Sequence, residues 1–244
     1  MKGLCILALL LLSIVAARGD AAEKFASGGK EFAAGHFDNA IADYEEAANA
    51  GGWSANVFYD LGNAYYRSGN FGRAILNYRR ALALDPHHPE AAANLRVARD
   101  EARALELPRE PIEDALSFGT TNRFAAIGAA GFWLSLFSAV ALAFRKRRTL
   151  AAPLMLTVGL LLFAGGGYAT YASETGRSGR ALAIVVADKI QARLATADNS
   201  GTVLALPPGS EVQVMSARGD WLYAALPNHL RGWIPAHAAE LIRK

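Results

Sequence analysis

Five histidines and one cysteine are the residues of this 244-residue chain best suited to metal or nucleophilic chemistry, and their spacing supports neither. His36, His87, His88, His229 and His237 form no H-E-x-x-H pair, and Cys5 stands alone, so no zinc set assembles from them. His87-His88, held between Pro86 and Pro89, read as a solvated turn. The glycine runs at 28–29, 51–52 and 165–167 lack the Lys-Ser/Thr that completes a phosphate loop, and no serine occupies a G-x-S-x-G elbow. The expectation is a non-enzyme with no catalytic residue, no metal and no cofactor. What remains is binding. Asn56, Tyr59, Asn63 and Tyr66 recur at intervals of 3, 4 and 3, which puts them on one face of a helix with Arg67 beside them. Amides hydrogen-bond peptide backbone, and tyrosines give large contact area at low entropic cost. This face is the candidate peptide-binding site.

The helix carrying that face belongs to a repeated unit. Gly35 recurs as Gly69, Phe37 as Phe71, Ala40-Ile41 as Ala74-Ile75, Tyr44 as Tyr78 and Ala47 as Ala81, each at a spacing of 34. That period and pattern resemble the helix-turn-helix tetratricopeptide repeat, most closely at 55–88, where Phe58, Leu61, Gly62, Tyr65, Gly69, Ala74, Tyr78, Ala81 and Pro86 match. The first copy, 21–54, departs with Lys24, Ser27 and Glu31 at apolar positions, as terminal repeats do where one face meets water. Residues 89–107 carry Ala92, Leu95, Ala98, Ala102 and Leu105 along one side and read as a capping helix, so the repeat domain spans 22–107. The resemblance puts Asn56, Tyr59, Asn63 and Tyr66 in the concave groove. It also implies that a carboxylate clamp is missing, because Glu90 and Asn94 stand at the third-helix positions.

Two apolar runs, Phe124–Phe144 and Leu150–Tyr171, contain no Lys, Arg, Asp or Glu and flank Arg145-Lys146-Arg147-Arg148. About 20 helical residues cross a hydrocarbon core, so 124–171 reads as a transmembrane hairpin with loop 145–149. Short basic loops stay in the cytoplasm, which sends both flanking regions to the extracytoplasmic side of a bacterial inner membrane. The small residues Gly131 and Ser135, with Gly165 and Ala169, suit close packing of the two spans. Met1–Ala17, with Lys2 and the apolar run Leu4–Val15, reads as a secretory signal within 1–21 and agrees with that topology. The pI near 9.1 is a product of this leader and loop, since Asp20–Phe118 carries 16 acids against 10 bases. Nucleic-acid binding has no support. Residues 108–123, opened by Pro108-Arg109-Glu110-Pro111, form a stiff linker.

After Tyr171 the period changes. Ala181–Ala187, Ile190–Leu194, Thr202–Leu206, Glu211–Ser216, Trp221–Ala225 and Arg231–Ile234 are short β-prone runs separated by turn formers. Alternation is clear from Glu211 to Met215, and the spacing predicts a small barrel over 178–244 with Trp221 and Trp233 in its core. Pro208-Gly209-Ser210, Gly219-Asp220-Trp221 and Arg231-Gly232-Trp233-Ile234 resemble a bacterial SH3-like domain.

The fold class expected is therefore multi-domain: an α-helical tetratricopeptide solenoid, a two-helix transmembrane hairpin and a C-terminal all-β SH3-like barrel. That order, with Phe58–Arg67, Gly72–Tyr78 and Asn94–Arg99, is similar to the BatE-like proteins of the Bacteroides aerotolerance (Bat) group. The resemblance implies a membrane-bound adaptor that partners von Willebrand factor A-type Bat proteins and, indirectly, a MoxR-type ATPase. The alternative is a peptidoglycan-binding or envelope-sensing protein acting through the SH3-like domain.

Overall fold

The computed structural model of the protein describes residues 19–51, 53–108, 119, 121–144, 150–175 and 181–243. The leader up to residue 18, the basic tetrad 145–148 and most of the 108–123 linker lie outside the described residues. The N-terminal part is helical: α1 (residues 19–33), α2 (Phe37–Asn49), α3 (Ala55–Arg67), α4 (Phe71–Leu84) and α5 (Pro89–Ala102). Their ends follow local chemistry. The Ser54 hydroxyl accepts from Val57 N at 3.2 Å and the Asn70 carbonyl oxygen accepts from Arg73 N at 3.2 Å, each satisfying an amide that the helix cannot. Gly35 and Gly69 both sit at φ +82, where a Cβ is strained, and turn one helix into the next.

The 34-residue period is visible as repeated geometry. A Cβ built on Gly28 would lie 2.7 Å from the Tyr44 ring, and one on Gly62 would lie 2.7 Å from the Tyr78 ring. Phe32 meets Phe37 at 5.5 Å and 61°, and Tyr66 meets Phe71 at 5.5 Å and 61°. The first copy thus folds like the second despite its polar substitutions, because those side chains pair locally. Lys24 bridges Asp43 at 3.5 Å and Glu46 at 2.6 Å, and Glu31 accepts from Asn39 at 3.2 Å.

The two apolar helices are α6 (Thr121–Phe144) and α7 (Ala151–Thr175). Within their most apolar windows only 22 % and 11 % is buried, whereas the core helix of a soluble domain is mostly covered. Both are long and apolar enough to cross a membrane. They pack through small residues: a Cβ on Gly131 would lie 2.5 Å from Phe163 N, and one on Gly166 would lie 2.5 Å from Gly128 N. Gly131, Ser135 and Ala169 face the partner helix as the sequence suggested, but Gly165 has open space around it. Gly159 and Gly166 take its place, because residues on one helical face recur every three or four positions and 159 and 166 share one with Ala169.

The C-terminal part is an antiparallel sheet of seven strands: β1 (Leu182–Val185), β2 (Ile190–Arg193), β3 (Thr202–Leu206), β4 (Glu211–Arg218), β5 (Trp221–Ala225), β6 (Arg231–Pro235) and β7 (Ala239–Leu241). Their order is β3-β2-β6-β5-β4-β1-β7. Six match the β-prone runs. The three-residue β7 is too short to show alternation and pairs with β1 through Val185 and Ala239. The core holds Ala183, Val185, Ala192, Leu206, Val212, Ala224, Leu226 and Ile234. Trp221 and Trp233 are not in it. Ala224, Gly232 and Ile234 fill the inward positions of β5 and β6, so the tryptophans fall on the outer face, half-buried, with Trp233 5.0 Å from Tyr223.

The helices up to Leu107 and the sheet from Leu182 form one compact unit, and Pro108–Ala181 another. β1 shows why the first is continuous. Ala183 and Val185 point into the sheet core while Leu182, Ile184 and, beyond β7, Ile242 join the helical core. Burying a Leu or Ile in this way contributes about 1.5–3 kcal/mol each. Gly72 of α4 makes the approach possible, since a Cβ there would lie 3.0 Å from Val185 O and 3.1 Å from Val186 Cα. The same packing explains why alternation fails at the start of β4, where Glu211 and Val212 both have 0 % exposure. The Glu211 carboxylate takes a hydrogen bond from Arg99, another from Leu107 N at 3.3 Å, and an ion pair from Arg79 at 3.6 Å. At the far edge Glu240 pairs with Arg73 at 3.2 Å and Arg80 at 3.3 Å.

Candidate functional site

Packing the sheet against α4 and one side of α5 leaves the opposite side of the helical layer open. A cleft of about 280 Å³ lies there, lined by Phe32, Tyr59, Asn63, Tyr66, Arg67, Tyr78, Asn94 and Val97. Apart from Tyr78, these residues come from α1, α3 and α5, the first helix of each unit. Helical spacing is what aligns them: 59, 63 and 66 on α3 face 94 and 97 on α5.

Four of the five residues singled out in the sequence, Tyr59, Asn63, Tyr66 and Arg67, lie together in this cleft. Asn56 does not line it. It sits exposed on the first turn of α3, near the end where the turn at His88 closes over Tyr59. Phe32, Tyr78, Asn94 and Val97 are the lining residues that helix-face reasoning missed, and the 34-residue period could have supplied Phe32, which is the counterpart of Tyr66.

The polar centre of the cleft is organised around Asn63. Its side-chain oxygen accepts from the Tyr78 hydroxyl at 2.8 Å and from Asn94 Nδ2 at 2.9 Å, so both lone pairs are used and three helices are tied together. Asn63 therefore holds the floor, and its carbonyl is not available to a peptide amide. Burial pushes the Tyr78 phenol well above the usual tyrosine range. Burial also raises the carboxyl of nearby Asp60, opposed by hydrogen bonding to Asn63 and by the charge of His88.

Tyr59 and Tyr66 each pack one face on the helical core and present the other to the cleft. Tyr59 packs against His88, ring centroids 4.8 Å apart and tilted by 37°. His88 is not a solvated turn residue. Its side chain is 12 % exposed, and Nδ1 accepts from Ala91 N at 3.3 Å to cap α5, while His87 beside it stays exposed. At the rim, the Arg67 guanidinium lies 4.8 Å above the Phe37 ring. Among the described residues no group of three or more His, Cys, Asp or Glu is placed to hold a metal ion.

Residues 55–88 match the tetratricopeptide repeat family, a class whose repeats mediate protein–protein interaction. The match covers α3, α4 and the turn to α5, which supply Tyr59, Asn63, Tyr66, Arg67 and Tyr78 of the cleft. No curated protein matches the chain.

Proposed function

We propose that the protein is a non-enzymatic, membrane-anchored adaptor that captures an extended segment of another protein in the cleft between α1, α3 and α5. The observation that carries this reading is the open, aromatic-lined cleft on one side of a helical layer whose other side is closed by the sheet. The domains are read as a repeat domain at 22–107, an anchor at 124–171 and an SH3-like domain at 178–244. The partners fitting such an adaptor are von Willebrand factor A-type Bat proteins in the same membrane, coupled to a MoxR-type ATPase in the cytoplasm.

Packing supports this topology as loop charge does. Residues up to 107 and from 182 share one core, which favours both on one side of the bilayer with the two apolar helices crossing as a pair. The basic loop 145–149 then faces the cytoplasm, and the cleft faces the cell envelope. Cys5 is the chain's one cysteine, which makes the test direct. In a Cys5→Ser background, Ser68→Cys and Ser200→Cys should react with an impermeant maleimide on intact spheroplasts, and Arg147→Cys only after lysis. Labelling of Arg147→Cys from outside would refute the orientation.

Partner capture is tested by pull-down from gently solubilised membranes, comparing the wild type with Val97→Glu and Tyr66→Ala. Loss of the same membrane protein in both variants supports the cleft, and an unchanged set of partners refutes it. A second reading rests on the outer face of the sheet, where Trp221, Tyr223 and Trp233 are half-buried and available for contact. Retention of the full-length protein on purified murein, lost in Trp233→Ala, would favour peptidoglycan binding over protein capture.

A further inference from the structure

Resting on the cleft reading, we infer that the segment captured is an internal stretch of peptide in which a large apolar side chain has an acidic one close to it in sequence. Two observations carry this. The first is composition: Phe32, Tyr59, Tyr66 and Val97 make an apolar wall, and Val97 is 52 % exposed, so the hollow is open to a side chain that would cover it. A volume of about 280 Å³ accommodates one or two large side chains rather than a folded element.

The second is charge. Among the residues that line the cleft, Arg67 is the one with a formal charge, and no carboxylate lines it. The guanidinium is exposed and braced on the Phe37 ring, which orients its donors without consuming them. The cleft floor cannot serve as the counter-charge, because the Asn63 oxygen is already filled by Tyr78 and Asn94. An acidic side chain on the ligand is the group that satisfies Arg67 while the apolar neighbour fills the hollow. A chain terminus would bring a main-chain carboxylate beside the acidic side chain, and the lining offers no second cation for it.

The measurement is capture of the full-length protein, in detergent micelles, on an array of randomised peptides with amidated C-termini. The expected outcome is enrichment of Asp or Glu within two residues of Phe, Tyr, Leu or Met. Replacing that acid by its amide should weaken a selected peptide about three- to fivefold, the size of an exposed ion pair. Arg67→Gln, at an exposed position, should bind the acid and amide peptides equally and keep its melting temperature. Capture without acid enrichment overturns this inference and leaves the cleft reading standing. Capture on a matching array with free C-terminal carboxylates, and none on the amidated one, overturns it as well. An array on which the wild type and Val97→Glu behave alike sinks both readings.

Discussion

Glu211 and Arg99 lie 112 residues apart in sequence and meet, carboxylate to guanidinium, where the helical repeats join the sheet. Arg99 also reaches Glu106 at 3.2 Å, on the segment that leads from α5 under the sheet. There Leu105 N donates to the Ser210 hydroxyl at 3.1 Å and Leu105 O accepts from Glu211 N at 2.9 Å. The stretch after α5 is therefore threaded between the helical layer and β4, and the carboxylate closes the join. A charge with no exposed surface is tolerated only where its attractions offset desolvation, so the join is sensitive to either partner.

Glu211→Ala should cost about 3–5 kcal/mol, since it leaves the Arg99 and Arg79 cations facing a site closed to water. Arg79→Met and Arg99→Met combined with Glu211→Leu should recover most of that loss, because both cations go with the carboxylate and apolar packing replaces them. Urea unfolding of the full-length protein in micelles measures both. A loss below about 1 kcal/mol for Glu211→Ala would mean that the join is wetter than its burial implies.

The repeat glycines make a matched pair of tests. Gly62→Ala and Gly28→Ala each place a methyl 2.7 Å from a tyrosine ring, Tyr78 in one case and Tyr44 in the other. Overpacking of this kind costs about 1–3 kcal/mol. Equal falls in melting temperature for the two variants are expected if the first copy packs as the second does. Tolerance of Gly28→Ala alone would show that the N-terminal copy is looser.

The helical part was legible because its spacing is written twice, and Gly28 with Tyr44 could be inferred from Gly62 with Tyr78. Four of the cleft residues were legible from one helix face, but Asn94 and Val97 stand on α5, and nothing in a single helix reveals what faces it. The sheet was legible strand by strand and not as a neighbour of the helices. Glu211 looks like an ordinary outward residue of an alternating strand, and only the packing of β4 on α5 makes it buried. Trp233 misled for the complementary reason. Large aromatics suggest a core, yet in this small sheet the inward positions of β5 and β6 went to Ala224, Gly232 and Ile234.

Alkaline pH should unfold the unit of helices and sheet early. Burial raises the phenol of Tyr44 to about 12 and pushes those of Tyr65 and Tyr78 higher still. The folded chain then keeps protons that the unfolded chain releases above pH 10, so stability falls as pH rises beyond that value. Tyr78→Phe should cost about 1 kcal/mol at neutral pH through its lost bond to Asn63, and should flatten the alkaline slope. Denaturant midpoints across pH 9 to 11, with phenolate absorbance as a second signal, test this. An unchanged slope in Tyr78→Phe would contradict it.

Asp60 contributes at the other end of the scale. Burial lifts its folded carboxyl above the ordinary 3.8, so the folded state binds more protons and stability declines as pH climbs from 3.8 through the raised value. Asp60→Asn removes the penalty and should raise the melting temperature at pH 7, with no gain once the pH falls below the ordinary carboxylate value. A melting temperature lowered at pH 7 would mean that the charged form is needed where it stands.

The hairpin glycines separate packing from composition. Gly131, Gly159 and Gly166 sit where a Cβ would meet the backbone or side chains of the partner helix at 2.5 Å, while Gly165 and Gly167 meet nothing within 4 Å. Apolar burial does not hold two helices together in lipid, so in the proposed membrane pair close approach through small residues supplies the attraction. Gly131→Leu and Gly166→Leu should therefore splay α6 from α7, whereas Gly165→Leu should leave them packed. Disulfide trapping reads this out: in a Cys5→Ser background, Phe132→Cys and Phe163→Cys together bridge the interface, where the two rings they replace lie 5.9 Å apart. Oxidation should cross-link that pair efficiently alone and with Gly165→Leu, and poorly with Gly131→Leu. Equal cross-linking in both would show that the spans associate through something other than their glycines.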